Sequence, residues 1–346
     1  MTRTRPLQVA EIDPHDESAF DAWFSVMRAT DMERWPDKPG WQRVERLAMA
    51  LDEDGPEEHR LLVAREGAGA GGVICGVADI EFSRRENLQL ARTDLRVLAA
   101  HRRLGVGSSL LTAVEQVVEA AGRTELGGMD ELPARPDYVD AAGPFARYHG
   151  FTTAQVMVRR ELRLPLTPGH ARSLVENPKA TPRGYAMRTF RDRWPDELVE
   201  DRCELGRRMS TDIPMGEQEL DEEVWDEARV RQIEAAFAAQ NRAKLIAVAR
   251  EVDSGKVAGF TEIAVPLAAQ ESVWQHDTLV TREHRGHGLG FAMKVANLVE
   301  LERQFPLARS ISTWNAAENE PMIAVNDEMG FEVVALSNYW LKSLRL

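Results

Sequence analysis

The chain has 346 residues, which exceeds the usual size of a single hydrophobic core and predicts two domains of about 100 to 200 residues each. Its 43% hydrophobic and 29% charged residues exclude an intrinsically disordered or a membrane-embedded protein. The formal net charge of −13 at pH 7 argues against binding to nucleic acid or to an anionic membrane, because both need a basic surface.

No segment of the sequence is typical of export or of a membrane span. Residues 1–13 contain no apolar stretch of signal-peptide length, and no later segment approaches the length of a transmembrane helix. Cys75 and Cys203 are too few for a disulfide framework and lack metal-ligand spacing. We therefore expect a cytoplasmic protein, a monomer or a homodimer, with no metal site.

The first half of the chain is predicted to form strands followed by one amphipathic helix. The strands lie near residues 59–65, 73–82 and 88–99. The helix runs over residues 106–121, where apolar residues recur at helical spacing and form a single stripe. We assign residues 1–164 to this first domain.

Residues 165–183 separate the two halves and carry four prolines without sustained periodicity. Such a stretch indicates a linker, because proline lacks a backbone donor and interrupts regular structure. The second domain is then expected over residues 184–346.

The second half contains a longer series of predicted elements, in the order β-α-α-β-β-β-α-β-α-β-β. The elements are strand 185–189, helices 194–209 and 219–240, strands 244–250, 257–265 and 272–281, helix 289–304, strand 310–314, helix 319–329 and a strand pair from residue 331 onward. The predicted fold class is therefore α/β (α+β), with a mixed, mostly antiparallel sheet flanked by helices in each half.

The two halves share like residues at a single offset of 183 positions, which indicates an internal duplication. Seven matches at one offset are improbable by chance. The members in the first half are Gly76, Asp79, Asp94, His101, Arg102, Gly105 and Gly107, and their counterparts are Gly259, Glu262, Asp277, His284, Arg285, Gly288 and Gly290.

The duplicated junction between a strand and a helix reads H-R-R-L-G-V-G at residues 101–107 and H-R-G-H-G-L-G at residues 284–290. Glycines let a ligand approach the backbone, and the first amides of a helix have no partner within it. With the positive helix end and an arginine, the junction is predicted to hold a pyrophosphate. A lone glycine pair is more often only a turn, but its occurrence twice with the arginine in the matching place favours an anion site.

Two other phosphate-binding loops are excluded. A Walker loop needs G-K-[ST], which is absent. A Rossmann fingerprint needs a third glycine, and this chain has Leu110 and Met293 at that position.

The two junctions, R-R-L-G-V-G and R-G-H-G-L-G, resemble the R/Q-x-x-G-x-G/A acetyl-CoA motif of the GNAT N-acetyltransferase superfamily. The order of elements is similar to the GNAT fold, and F-A-R-Y-H-G-F and V-N-D-E-M-G-F resemble the closing helix of that family. The tandem arrangement is similar to that of mycothiol synthase and other paired GNAT proteins. The resemblance implies two tandem GNAT folds, acetyl-CoA as the acetyl donor and a small-molecule primary amine as the acceptor.

The resemblance also implies which residues hold acetyl-CoA. The amides of the turn would bind the pyrophosphate, the strand before it would pair with the pantetheine arm, and Asn319 would contact that arm or act as a helix N-cap. In the second copy these residues are Leu279, Val280, Thr281, Arg285, Gly286, His287, Gly288, Leu289, Gly290 and Asn319, and in the first copy they are Arg102, Gly105 and Gly107.

The candidate catalytic residues depart from the pattern of the family. Many relatives carry a tyrosine in the closing helix that protonates the leaving thiolate, whereas this chain has Ala146 and Asn326 at those positions. Asn326 is therefore a candidate hydrogen-bond donor to the thiolate. The candidate bases, on the strand before the turn and its neighbour, are His276, Asp277 and Glu262, and the alternative for each is a structural role in the strands. If no bulge intervenes, His276 and Asp277 face opposite sides of their strand.

We expect the second copy to be catalytic and the first to be degenerate. The first copy lacks a counterpart of His276 and has an apolar residue at the position of Asn326. The acceptor site is expected in the helical region of residues 209–226, where Asp212, Glu217 and Glu219 are either amine ligands or helix caps.

The principal hypothesis is acetyl transfer from acetyl-CoA to an amine by direct attack in a ternary complex. The alternative is a non-catalytic acyl-CoA-binding or scaffold protein, which the missing tyrosines favour. Cofactor binding without release of free thiol in the presence of amines distinguishes this alternative from the enzyme.

Overall fold

The structure is a computed structural model of the chain. It describes residues 7–67, 72–212 and 220–344, without the side chains of residues 210–212. Two of the predicted acceptor residues, Glu217 and Glu219, and the side chain of Asp212 thus lie outside the described part. Among the described helices, none combines the length and the apolar character that crossing a membrane requires.

The chain divides into two compact units whose limits differ from the predicted domain boundaries. One unit comprises Met1–Gln155 and Ser337–Leu346, and the other comprises Val156–Leu336. The first copy therefore ends before the predicted limit at residue 164, and the predicted linker, residues 165–183, lies within the second unit. The repeat marks a common origin in sequence, whereas the limits of a unit depend on which sheet each strand joins.

The first unit is a sheet with helices packed on both faces. Strands β1 to β5 are neighbours in chain order, all antiparallel except the parallel pair β4–β5. Its elements are β1 (Leu7–Ile12), α1 (Glu17–Arg34), α2 (Arg43–Ala50), β2 (Glu57–Glu66), β3 (Val73–Ser83), β4 (Leu90–Val97), α3 (Val106–Ala120), β5 (Glu125–Met129), the two-residue β6 (Leu132–Pro133), α4 (Ala142–Tyr148) and β7 (Thr152–Arg163), whose later residues belong to the second unit.

The core of the first unit lies on both sides of this sheet. On one face, the apolar stripe of α3 buries Leu110 and Val114 completely, which confirms the helix predicted over residues 106–121. On the other face, Phe20 and Trp23 of α1 pack against Leu61 of β2.

The second unit repeats this plan. Strands β8, β9, β10 and β11 are antiparallel neighbours, β12 joins β11 in parallel, and residues 157–163 of β7 complete the sheet against β12. Its elements are α5 (Pro168–Val175), β8 (Tyr185–Arg191), α6 (Val199–Asp212), α7 (Glu227–Ala239), β9 (Arg242–Glu251), β10 (Val257–Pro266), β11 (Ser272–Val280), α8 (Leu289–Gln304), β12 (Ser310–Ala316), α9 (Glu320–Met329) and β13 (Glu332–Ser343). The predicted class, α/β (α+β) with mixed, mostly antiparallel sheets flanked by helices, is confirmed for both units.

Three local predictions were wrong in part. The helix predicted over residues 219–240 begins only at Glu227, after the N-cap Asp226, and Val224 upstream of it is 63% exposed. The predicted linker contains α5, which Thr167 caps and which buries Leu174 in the core of the second unit. The strand pair predicted from residue 331 onward is one continuous strand, β13.

The two copies exchange their last strands. Residues 339–343 of β13 pair antiparallel with β5 in the first unit, although they follow the second copy in sequence. Trp340 is 5% exposed in the first core, and its Nε1 donates to Oδ2 of the buried Asp130 at 2.9 Å. Residues 339–343 are therefore structural members of the first unit.

We expect Trp340→Phe to destabilise the first unit selectively. The substitution keeps an aromatic ring but is smaller than tryptophan and removes the hydrogen bond to a buried carboxylate, and loss of that bond alone should cost about 2 kcal/mol. Hydrogen exchange should quicken for the amides of β4 and β5 and stay unchanged for those of β9 and β10. Faster exchange confined to β9 and β10 would contradict this assignment of the last strand.

Candidate active site

The turn before α8 leaves its backbone amides without partners. Gly286 and Gly288 have φ of +82° and +75°, in the left-handed region that favours glycine. From residue 286 onward, the first backbone amide that donates a hydrogen bond is that of Ala292, which donates to the carbonyl of Gly288 at 3.1 Å. Across the described ranges, the amides of residues 286–291 have no acceptor. Together with the positive end of the helix they form a concave site suited to an anion.

Arg285 and Arg102 occupy equivalent places in the two units. Nε of Arg285 donates to the carbonyl of Val280 at 3.2 Å. Nε of Arg102 donates in the same way to Val97 at 3.1 Å. Each arginine therefore holds the turn against the end of the preceding strand. The Arg102 guanidinium also bonds both carboxylate oxygens of Glu33, at 2.6 and 2.7 Å, so Arg102 has a carboxylate partner in the protein, and its contact with phosphate stays a prediction.

Two residues that lie about a hundred positions earlier in the chain contact the turn, so their contacts could not be predicted from local sequence. The Tyr185 hydroxyl lies 2.9 Å from Nδ1 of His284, and its ring lies 5.4 Å from that of His287. The side chain of Lys179 covers Gly288, where an added Cβ would lie 3.3 Å from the Cβ of Lys179. Gly286, in contrast, has open space around it.

Strands β11 and β12 are paired with each other at their first residues and unpaired with each other over the rest of their length. They pair only where Ser272–Trp274 lie beside Ser310–Ser312, yet β11 continues to Val280. In the part of the chain that the structure describes, no strand pairs with the β12-facing edge of β11 near Leu279. Because the amide of Thr281 bonds β10, strand alternation turns the amide of Val280 to this edge, where an extended ligand could accept from it.

Thr281 is less available than predicted. Its backbone amide and its hydroxyl both donate to the carbonyl of Ala258, at 3.0 and 3.2 Å. The donors of Thr281 are thus used within the protein. The same alternation turns the backbone groups of Leu279 toward β10, so of the three residues predicted to pair with the pantetheine arm, Val280 turns its backbone to the open edge.

A β-bulge places His276 and Asp277 on one face of β11. The register with β10 shifts between Thr261 and Ile263. The side chains of Gln275 and Thr278 both contact the Thr261 hydroxyl, at 2.8 and 2.7 Å, although residues three apart face opposite sides in a regular strand. The two intervening residues therefore face α6 and α7 together. The expectation that His276 and Asp277 face opposite sides was wrong because the bulge was not visible in the sequence.

The pKa of His276 is lowered and the pKa of Asp277 is raised, relative to the usual values of these groups. His276 packs its exposed ring 5.5 Å from that of Phe237; the surrounding protein and the cations of Lys244 and Arg242 lower its pKa below the usual value. Burial and the nearby Glu262 raise the pKa of Asp277. Asp277 makes no hydrogen bond or ion pair within the described ranges. It is thus a carboxyl group with raised basicity and free oxygens.

Glu262 is the centre of a buried ion cluster. Its carboxylate accepts from Nε1 of Trp194 at 3.0 Å and from Nζ of Lys244 at 3.1 Å, and Nε of Arg202 lies 3.9 Å away. Burial alone would raise the pKa of Glu262, but Lys244 and Arg202 lower it to about 2. Such a carboxylate is a poor proton acceptor, so we assign Glu262 a structural role in place of the predicted base.

Aromatic rings surround this cluster on the side of α7. The guanidinium of Arg202 lies 4.1 Å from the centre of the Trp225 ring, and Nζ of Lys244 lies 4.0 Å from that of Phe237. The roles of Lys244, Arg202 and the aromatic residues were not predicted from the sequence. One available signal was Lys244 directly before the apolar run 245–249 of β9.

Asn326 belongs to a buried hydrogen-bonded chain. It is completely buried; its Oδ1 accepts from Nζ of Lys294 at 2.7 Å, and its Nδ2 donates to Oδ1 of Asn315 at 2.6 Å. Its polar atoms are thus committed to protein partners. Asn319 caps α9 by accepting from the amide of Met322 at 3.3 Å, which is the N-cap role considered for it.

The first unit differs at the equivalent positions. β4 pairs with β3 without a bulge, and Asp94, the counterpart of Asp277, is held in an ion pair by Arg96. Burial acts against ionisation, but Arg96 lowers the pKa of Asp94 to about 2. A Cβ at Gly107 would lie 3.1 Å from the Phe145 ring, while at Gly290 the nearest atom, from Val325, is 4.0 Å away. Gly105 has a φ of +85° and open space around it. In the first unit, the space beside the turn is therefore reduced at Gly107 and not at Gly105.

The first unit carries a separate group of titratable residues facing α1 and α2. Ligand atoms of Glu57, His59 and Glu81 lie within 4.8 Å of one another. Burial and the charge of Glu81 raise the pKa of Glu57 to about 7. Arg92 lies 3.1 Å from Glu81 and supplies a cation of the protein's own, so this group is balanced without a bound ion.

A cavity of about 320 Å³ lies against α8 in the second unit. Tyr185, which also contacts the turn, is at its margin. Apart from Thr181, the other lining residues are apolar: Val175, Ala180, Pro182, Met187, Ala292, Val295, Ala296 and Val299. The cavity is therefore mainly apolar, and Tyr185 is the titratable residue among those that line it.

Comparison with known proteins agrees with the fold and the paired turns. Residues 20–151 match the model of the acetyltransferase (GNAT) family. A tandem GNAT protein from the clavulanic acid biosynthesis pathway, solved without AcCoA, is 24% identical with a TM-score of 0.78, and the match covers 98% of each chain. A GCN5-related N-acetyltransferase from Sphaerobacter thermophilus is 18% identical with a TM-score of 0.68, covering 99% of this chain and 98% of that one. No curated protein sequence matches the chain.

The fold is that of a protein with two tandem GNAT folds, each with a glycine turn before a helix. The acetyltransferase (GNAT) family model matches residues 20–151. These residues lie in the copy that was expected to be degenerate. The match to the family model therefore does not depend on the unpaired carboxyl group of Asp277, which lies in the other copy.

Proposed function

We propose that the second unit transfers an acetyl group from acetyl-CoA to a primary amine of a small molecule, by direct attack in a ternary complex. The observation that carries the proposal is the run of unpaired amides at residues 286–291, next to the open edge of β11. The first gives a site for the diphosphate and the second a site for the pantetheine arm. The solved tandem GNAT protein named above is described without AcCoA, and the assignment here rests on the turn itself.

Asp277 is the group that we assign as the base. The amine arrives as an ammonium ion, which the carboxyl groups of Asp277 and the nearby Glu223 attract. Asp277 takes one proton, the amine nitrogen attacks the thioester carbonyl, a C–N bond forms and the C–S bond breaks with its electron pair left on sulfur. The nitrogen loses its second proton to solvent. Backbone amides at the β11 edge stabilise the oxygen as it gains charge.

His276 takes a different part in this scheme. Its lowered pKa keeps the imidazole neutral at pH 7, so it adds no charge that would repel an ammonium ion. Its contact with Phe237 sets it beside the face on which the amine would lie. We therefore assign it to the wall of the acceptor site.

The turn is tested by a pair of variants of equal shape. Asn and Asp tolerate a positive φ equally and differ by one charge, and Gly286 has open space around it. A carboxylate a few ångströms from a diphosphate should weaken acetyl-CoA binding about 10- to 100-fold. Calorimetry should therefore show weaker binding for Gly286→Asp than for Gly286→Asn.

Equal affinities in the two variants would place the coenzyme elsewhere. A thiol-release assay with polyamines, aminoglycosides, amino acids and amino sugars then separates the enzyme from the alternative, a non-catalytic acyl-CoA-binding protein. Binding of acetyl-CoA without release of thiol for any amine would favour that alternative. The presence of Asn326, where many relatives have a tyrosine, is the observation that supports it.

A further inference from the structure

The second unit buries a lysine that the proposed reaction has not used. Lys294 of α8 is 2% exposed, and its single hydrogen bond within the described residues is the one to Oδ1 of Asn326. Burial lowers its pKa to about 7. A buried cation without a carboxylate partner is costly, so the residue needs an explanation beyond packing.

The acidic residues next to Asn326 on α9 do not serve Lys294. Asp327 lies 3.5 Å from Nε of Arg160, and Glu328 lies 2.7 Å from Nζ of Lys179. The ring of Phe331 lies 5.6 Å from the Lys294 ammonium and adds a weak attraction. No charge of the described residues around Lys294 balances its own.

The hydrogen-bonded chain that starts at Lys294 ends on β12, in the part of that strand that no longer pairs with β11. Asn326 passes it to Asn315, which is only partly buried and lies beyond Ser312, the last residue of β12 paired with β11. Each amide is polarised in the same sense, with its oxygen toward the incoming donor. The positive charge of Lys294 therefore polarises both amides toward the place in which the thioester would lie.

The duplicated copy shows that the fold does not require this chain. The residues at the equivalent positions of the first unit are Leu111 and Ala146, both buried in its core. An apolar pair fills the same helix contact there. The lysine and asparagine of the second unit thus carry out something other than holding α8 against α9.

We propose that Lys294, acting through Asn326 and Asn315, stabilises the anionic sulfur of the coenzyme when the C–S bond breaks. The inference rests on the proposed acetyl transfer. Lys294 acts here as a positioning residue that supplies electrostatic stabilisation without touching the substrate. The electron pair of the C–S bond stays on sulfur, the negative charge that develops there favours the protonated form of Lys294 and is stabilised by it, and water later protonates the thiolate.

The test measures the pKa of the thiol of coenzyme A bound to the full chain, from the ultraviolet absorbance of the thiolate. In the wild type this pKa should lie below that of free coenzyme A. Lys294→Met should raise it by about one unit, a tenfold loss of thiolate stabilisation, with coenzyme affinity at pH 6 unchanged within about twofold. Lys294→Arg should recover part of the shift.

A double variant guards against failure to fold. Lys294→Leu with Asn326→Ala copies the pair found in the first unit, and should bind coenzyme A with an unshifted thiol pKa. If the wild type binds the coenzyme but Lys294→Met leaves the thiol pKa unchanged, the role of Lys294 is refuted while acetyl transfer stands. If the wild type does not bind coenzyme A, both proposals are refuted together.

Discussion

Asp277→Asn is expected to lower kcat for acetyl transfer by about 10²- to 10⁴-fold, the usual contribution of a general base. The substitution keeps the size of the side chain but removes its capacity to take a proton. KM for acetyl-CoA should stay unchanged, because the coenzyme is assigned to the turn and to the edge of β11. Steady-state kinetics with an amine found by the thiol-release assay provides the measurement.

The pH profile gives an independent reading of the same residue. Because the pKa of Asp277 is raised, kcat should fall as the pH drops through a value above the usual range of an aspartate, and this acid limb should disappear in Asp277→Asn. A raised pKa also means that ionised Asp277 destabilises the fold above its unfolded pKa. The variant should therefore be at least as stable as the wild type at pH 7.

Two matched controls accompany this prediction. His276→Gln should reduce kcat much less, since His276 is assigned to the wall of the acceptor site. Asp94→Asn in the first unit should affect stability through Arg96 and leave kcat unchanged. A large loss of kcat in Asp94→Asn with full activity in Asp277→Asn would move the active site to the first unit.

Glu262→Ala is expected to destabilise the second unit by about 3 to 5 kcal/mol. Removing one partner from a buried ion cluster leaves Lys244 and Arg202 without an anion in the protein interior. Glu262→Gln should cost less, because an amide oxygen still accepts from Trp194. Urea unfolding at pH 7 of the three proteins gives the comparison.

The same residue predicts an acid-sensitive step. Since the pKa of Glu262 falls from 4.5 to about 2 on folding, its contribution to stability is present above pH 4.5 and is lost as the pH falls toward 2. The stability of Glu262→Gln should therefore depend less on pH in this window. Parallel curves for the wild type and Glu262→Gln would show that Glu262 is not held in its ionised form.

Much of the fold was accessible from the sequence because its signals are local. The amphipathic stripe of residues 106–121, the glycines before α8 and the 183-residue offset each depend on neighbouring residues or on a simple repeat. The turn was found because positive φ and unpaired helix amides have a short signature. The acidic residue in β10 was also found, but its partners were not.

The elements that the sequence analysis missed depend on residues distant in the chain. The predicted linker forms α5 because Leu174 meets the core of the second unit, and the helix predicted over residues 219–240 is shorter because Val224 meets none. Lys244 and Arg202 neutralise Glu262 from two other elements. The pattern of residues within one segment does not show which distant residues will contact it.

The sequence by itself determined that this protein is a duplication with a glycine turn at the start of a helix in each copy, since both properties reside in short stretches of residues. Only the tertiary structure decided that the copies exchange their last strands, that a bulge turns Asp277 to the side of His276, and that Asp94 is paired while Asp277 is not. These outcomes depend on strand register and on contacts between distant residues. A shift of one residue in register reverses the face of every side chain that follows it, and no local pattern records that choice.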